Sequence, residues 1–335
     1  MTQQLTNTAA DNMEIFTFGD PEPVLNSRLD YWLEDYAMDN GTYYESPLDL
    51  AGLAKLLDAT PQHGPILARK KDLLLKWFKP SPYLSRKEFE YIALDFVVFG
   101  QLYVQRFVNG FGKTVRLAHQ PRISMRKSSQ KDDVFIKLRR GYTDQIEFKP
   151  GEIAELKEPD VRQKIYGKPT YIGGIQSVLL NADATLFRRR WYLNGAHMGF
   201  ILVANDANLN TEAAAAIQKK LKESKGVGNG RNMFINIPRS QSREPIKVIP
   251  IGDIGSKDDI EKIKAMTKED ALAMHLMPPE LAGIIPNNTG GFGDREKALK
   301  VYHETDIEVL QMKFMALNDE LKLNVFQFEK PDWTL

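Results

Sequence analysis

Two prolines and three glycines break the last third of the chain, and this break constrains the fold more than any other feature. The segment "KDDIEKIKAMTKEDALAMHLM" reads as a helix that Pro278 and Pro279 stop. Proline has no backbone N–H to donate, and its ring collides with the preceding turn. Then comes "NNTGGFGDREK", holding Gly290, Gly291 and Gly293, and after it a long helical run, "REKALKVYHETDIEVLQMKFMALNDELK". Two helices are therefore separated by a polar, glycine-rich segment. A turn of this kind running into a helix can cradle a phosphate, or it can be a mobile loop that touches something else.

The phosphate cradle fails on spacing. A P-loop needs Gly-x4-Gly-Lys-Ser/Thr, and the sequence never supplies it. A dinucleotide fingerprint needs a third glycine where Glu296 stands, and a strand where a helix precedes. Other catalytic patterns are missing too. There is no cysteine, so neither a disulfide framework nor a thiolate metal site can form. The five histidines, His63, His119, His197, His275 and His303, include no two at metal-ligand spacing. The carboxylates of "KDDIEK" and "DALAMH" are those of an ordinary polar helix face, and no Gly-x-Ser-x-Gly elbow occurs. The sequence gives no ground for a catalytic residue, cofactor or metal, so the chain is expected not to be an enzyme.

Periodicity makes the rest of the chain a mixture of helices and strands, an α+β protein. "LAGLAKLLDA" and "GPILARKKDLLLKWF" carry apolar residues at helical spacing. "SRKEFEYIALDFVVFG" opens on Ser85 with Glu88 three residues later, a capping box, and Gly100 supplies its stop. Two β-rich runs flank Asn109-Gly110, a hairpin signal, and further short strands follow at "DVFIKLRRG", "DQIEFKP" and "EIAELKE". A helix from about Ile175 to Leu193 would be roughly 28 Å long. Beyond it lies a compact α/β insert with strands at "MGFILVAND", "NMFINIP" and "IKVIPIG", and a helix from Asn210. "LNVFQFEKP" ends the chain as a short strand-like tail.

Charge narrows the partners. The formal net charge is +1, so the whole chain is not a basic DNA-coating protein. Locally basic stretches do exist, at "ARKKDLLLKWFK", "RISMRKSSQK" and "KKLKESKGVGNGR". In "LFRRRWYLNG", Arg188, Arg189 and Arg190 beside Trp191 suit phosphate contact and base stacking. Successive helical residues point about 100° apart, however, so the three arginines cannot form one patch. Pairing with carboxylates of neighbouring chains is the favoured reading. The N-terminal stretch lacks a basic start and a long apolar core, and no run of 18 apolar residues occurs, so neither a signal peptide nor a membrane span is expected.

At "KIYGKPTYIGGIQSVLLNADATLFRRRWYLNGAHMGFIL" and at "MPPELAGIIPNNTGGFGDREKA" the sequence resembles the portal proteins of tailed bacteriophages. It is most similar to the small, PBSX-type portals of temperate, contractile-tailed phages. Tyr-Gly-x-Pro opens a helix, Asn-Gly ends it, and Pro-Pro-Glu-Leu-hydrophobic-Gly precedes a polar, glycine-rich loop. "ALDFVVFGQLYV" and "FKPGEIAELKEPD" add to the match, which spans about residues 45 to 325.

The resemblance implies a portal fold with an α/β wing, a two-helix stem, a small α/β clip and a long kinked wing helix, the crown being small or absent. It implies a loose arm over 1–25, wing over 26–168, stem helices over 169–196 and 256–280, clip over 197–255, tunnel loop over 281–294, and wing helix and tail over 295–335. It further implies a virion protein forming a ring of about twelve copies at the capsid vertex, with double-stranded DNA in its channel. The implied partners are the terminase large subunit, capsid or scaffold, and head-completion proteins. Asn287, Asn288, Thr289, Gly290, Gly291 and Gly293 would face the channel. Lys219, Lys220, Lys222, Lys225 and Arg231 would dock the motor, and Arg188, Arg189, Arg190 and Trp191 would lie in the stem between subunits. Asp294 is expected to cap the long helix. The alternative reading is a metal-dependent nucleic-acid-processing enzyme.

Overall fold

The computed structural model describes residues 38–139, 144–193, 200–204, 233–236, 246–250, 256–283 and 294–333. These fall into two units: one holds the described residues of 38–181 and 266–333, the other those of 182–265.

In chain order the first unit begins with α1 (Leu50–Leu56), α2 (His63–Trp77), β1 (Phe78–Lys79) and α3 (Arg86–Phe99). Six strands follow: β2 (Gln101–Val108), β3 (Thr114–Gln120), β4 (Met125–Lys127), β5 (Phe135–Arg139), β6 (Asp144–Glu147) and β7 (Ile153–Lys157). A 3-10 turn, Thr170–Gly174, leads into α4 (Ile175–Leu193), which has the bounds expected from its sequence and runs into the second unit. That unit contains β8 (Phe200–Ala204), β9 (Met233–Asn236), β10 (Ile246–Pro250) and the start of α5 (Ser256–Met274). The chain completes the first unit with the end of α5, α6 (Arg295–Tyr302), a π-helical turn (His303–Ile307), α7 (Glu308–Leu321) and β11 (Gln327–Phe328).

Local chemistry explains most boundaries. Ser85 Oγ accepts the Glu88 amide at 3.2 Å and opens α3, whose Phe89, Ile92, Ala93 and Phe96 form one buried face. The second half of the expected capping box is diverted. The Glu88 carboxylate takes the His119 amide of β3 at 2.9 Å, closing part of that strand's open edge. α3 ends at Gly100, with φ +66°, and β2 starts at the next residue. The hairpin around Asn109-Gly110 forms with a longer loop than an Asn-Gly pair alone needs, because Val108 pairs with Thr114. Asn109 Oδ1 holds that loop by accepting the amides of Phe111 and Lys113, both at 3.0 Å.

Two expected helices differ in detail. α5 stops at Met274, short of the prolines, because Leu276 turns left-handed (φ +52°) and the Met277 amide reaches back to the Leu272 carbonyl at 2.9 Å. The long C-terminal helix is interrupted by the π turn, which lets Tyr302, His303 and Ile307 all face inward.

Sheet order is β3-β2-β7 in one antiparallel sheet and β4-β5-β6 in another, while β1 pairs with β11. In the second unit β8 lies between β10, antiparallel, and β9, parallel. The main core gathers α2, α3, β2, β7, α7 and the tail around aromatic rings. Phe78 stacks on Phe89 with centroids 3.9 Å apart, and Phe314 meets Phe89 and Phe96 edge-on. Each such ring, fully buried, contributes about 1.5–3 kcal/mol through burial. A second cluster joins α1, α2 and α3 to the start of α4 through Leu53, Leu56, Leu67, Val98, Tyr171 and Ile175.

Candidate functional site

The glycine-rich segment is reached through two helices that the fold sets side by side. Ser177 of α4 donates to Asp270 of α5 at 2.7 Å, and buried Asn181 donates to Thr267 at 2.6 Å. One number rises as the other falls, so α4 and α5 run antiparallel here. Gly174 allows the approach: a Cβ added there would lie 2.6 Å from the Met274 Cβ.

Past α5 the chain is pinned before the segment begins. Met277 and Leu281 are buried in the main core. Gly283 then turns left-handed (φ +71°), a conformation that glycine adopts without strain. On the far side Asp294 caps α6 as expected, accepting the Lys297 amide at 3.0 Å, and its carboxylate also pairs with the Lys297 ammonium. The hydrogen bonds from Lys297, backbone then side chain, hold the Asp294 carboxyl below its ordinary value. The described residues on either side are thus held differently, Met277 and Leu281 by the main core and Asp294 by its cap on α6.

A pair of histidines joins the end of α5 to the start of α2, and sequence spacing gave no warning of it. His63 opens α2 and His275 follows α5, 212 residues away, yet His63 Nδ1 and His275 Nε2 are 3.0 Å apart. Both are buried, and the Tyr171 ring meets His63 edge-on at 4.8 Å. Burial pushes His63 down to about 4. Burial, followed by repulsion from His63 and Lys70, pushes His275 down to about 2. At neutral pH both rings are uncharged, and one N–H donates to the other's lone pair. The Tyr171 hydroxyl donates to the Val98 carbonyl at 2.5 Å, and burial raises its phenol well above the usual range. These are structural contacts that tie α5 to α2 and α3. A third buried histidine, His303 of the π turn, packs between Trp77 and Trp333.

The sequence-derived site residues are distributed unevenly. Asn287, Asn288, Thr289, Gly290, Gly291 and Gly293 lie outside the described residues, as do Lys219, Lys220, Lys222, Lys225 and Arg231. On α4, Arg188 is half-buried and Arg189 exposed, in keeping with their differing directions around the helix. Arg190 and Trp191 belong to the same helix, their side chains outside the described set. Among the described residues no group of three or more His, Asp or Glu side chains could hold a metal ion. No described helix is long and apolar enough to cross a membrane.

Comparison with known proteins assigns the chain. No family model matches it. It is 36% identical over 319 residues to the "Probable portal protein" of Escherichia phage P2, covering 95% of this chain and 91% of that protein. It is 40% identical over 276 residues to the "Probable portal protein" of Haemophilus phage HP1 (strain HP1c1), covering 82% and 80%. Among solved structures, the fold is similar to an HK97-family phage portal protein from Corynebacterium diphtheriae, with TM-score 0.54, 12% identity, and 79% and 88% of the two chains covered. It is similar too to a chain in the virion of a native gene transfer agent particle, with TM-score 0.52, 15% identity and 84% of each chain covered. With a mixed α+β fold of this type and identity at this level over most of both chains, the chain belongs to the phage portal protein family.

Proposed function

We propose that the protein assembles into a ring of about twelve copies at one capsid vertex, enclosing the channel through which double-stranded DNA is packaged and ejected. The observation that carries this reading is the identity of 36% and 40%, over most of the chain, to two phage portal proteins. On it, residues 26–168 and 295–335 form the wing, and 169–196 and 256–280 the stem. Residues 197–255 form the clip and 281–294 the tunnel loop. The antiparallel contact of α4 with α5 through Ser177–Asp270 and Asn181–Thr267 supports the stem assignment.

The chemistry of the loop suits a conduit. Asn287, Asn288 and Thr289 hydrogen-bond to phosphate without a formal charge. Each neutralised phosphate adds about 0.9 to the log–log salt slope, and a ring multiplies every contact by its copy number. DNA held by many charged contacts would not slide; weak polar contacts let it pass. ATP hydrolysis is then the task of a separate motor, the terminase large subunit, docked on the basic clip segment Lys219, Lys220, Lys222, Lys225 and Arg231. Capsid or scaffold proteins and head-completion proteins complete the set of partners.

Light scattering on the purified protein tests this reading directly. A particle of many subunits is expected, and a protein that stays monomeric at micromolar concentration would refute it. Incubation with DNA and magnesium separates this function from a nuclease-like enzyme: a portal leaves the DNA intact.

A further inference from the structure

A cyclic ring of more than two copies requires each subunit to carry two different, mutually complementary faces. Two exposed apolar surfaces of opposite charge meet that requirement in the first unit. The first is the tip of the β2–β3 hairpin. Phe111 is 92% exposed, flanked by Val108 and Val115, each about half exposed. Asn109 stiffens the tip through its two amide contacts. Its rim is basic: Lys113 and Arg116 are exposed, and no carboxylate occurs between Gln105 and Ala118. The second is a stripe on α7, where Val309, Met312 and Met315 are exposed at helical spacing. Exposed Glu304, Glu308 and Asp319 lie beside it along the same helical run. The one lysine in α7, Lys313, is held by Glu158, bonding both of its carboxylate oxygens at 2.6 and 2.8 Å, which offsets its charge.

We infer that the hairpin tip of one copy docks on the α7 stripe of the next. The inference rests on the ring reading above and adds the surfaces that close it. Placement within the fold supports the pairing. The hairpin adjoins edge strand β3, while α7 lies along β7, the opposite edge of the same sheet. The two surfaces therefore cannot meet within one chain, whereas successive copies related by rotation bring them together. Apolar contact between Phe111 and the methionines, surrounded by basic and acidic rims, supplies both burial and register.

The natural lack of cysteine provides a clean test. Phe111→Cys and Met312→Cys chains are made separately, mixed and oxidised. The expected product is a covalent dimer holding one chain of each kind, with neither variant cross-linking to itself. In a second arm, Lys113→Glu with Arg116→Glu should raise the concentration for half-assembly about tenfold. Adding Glu304→Lys and Glu308→Lys to the same chain should restore it. A wild-type ring seen by light scattering, with no mixed dimer and no effect of the charge reversals, overturns the docking and leaves the ring reading standing. Cross-linking of Phe111→Cys chains with each other also overturns it. A wild-type protein that never leaves the monomer removes the ring reading itself, and the docking with it.

Discussion

Replacing Gly100 with Ala should destabilise the first unit strongly, for two reasons that add. Gly100 sits at φ +66°, where a left-handed conformation costs an L-residue about 1–2 kcal/mol. A Cβ there would also lie 2.5 Å from the Lys168 carbonyl carbon, 2.6 Å from its oxygen and 2.6 Å from Pro169 N. These are backbone atoms and cannot rotate aside, so overpacking adds about 1–3 kcal/mol. The sum is about 2–5 kcal/mol, or a fall in Tm of about 4–20 °C at 2–4 °C per kcal/mol. Gly110→Ala is the control, because nothing lies within 4 Å of its added Cβ; it should stay within about 0.5 kcal/mol of wild type. Urea unfolding followed by tryptophan fluorescence measures both, since Trp77 and Trp333 lie against the main core. Equal midpoints for the two variants would show that neither the turn at Gly100 nor its contact with the Lys168–Pro169 backbone matters to stability.

The buried histidines make stability fall with acid. Their folded values, about 4 and about 2, lie below the ordinary unfolded value, so the unfolded chain takes up protons first as pH drops below about 6.5. Each group then removes about 1.4 kcal/mol per pH unit until its folded value is reached. His275→Gln should have a shallower loss than wild type between pH 6.5 and 5, and parallel curves would sink the argument. Lys313 and Glu158 should be coupled by about 1 kcal/mol in a double-mutant cycle of Lys313→Ala and Glu158→Gln, a value kept low because Lys313 is partly solvated; a coupling of zero would contradict the contact. On the proposed tunnel-loop assignment, changing Gly290, Gly291 and Gly293 to Ala narrows the backbone conformations open to those three positions. Capsids should still assemble but protect less DNA from nuclease, and normal filling would show that these glycines have no part in translocation. Replacing Lys219, Lys220, Lys222, Lys225 and Arg231 with Ser should weaken motor binding while the ring persists, and unchanged binding at physiological salt would place the docking surface elsewhere.

Features that depend on a few consecutive residues were legible before any coordinates. Ser85 and Gly100 bound α3 because a side-chain cap and a left-handed stop act within one turn. The bounds of α4 and the Asp294 cap of α6 follow from equally local chemistry. The family, too, was legible, because it is carried by the order of short motifs, and the identity to two portal proteins bears it out. For the segments proposed as tunnel loop and clip, the sequence supplied composition and position, and their named residues lie outside the described set.

Contacts between distant segments were decided only by packing. Glu88 matches a capping box in sequence, yet its carboxylate serves a strand amide that only the tertiary fold brings within reach. The Gly in Tyr-Gly-x-Pro reads as a motif letter until Gly167 is seen against Gly100, where an added Cβ would meet a carbonyl oxygen at 2.3 Å. His63 and His275 carry no mutual signal across 212 residues, and the π turn follows from the burial of Tyr302, His303 and Ile307 in one core. Backbone propensity and capping act over a few residues of chain, so sequence alone resolves them. Which buried groups end up paired depends on how separate elements fill a shared core, and that only the folded chain determines.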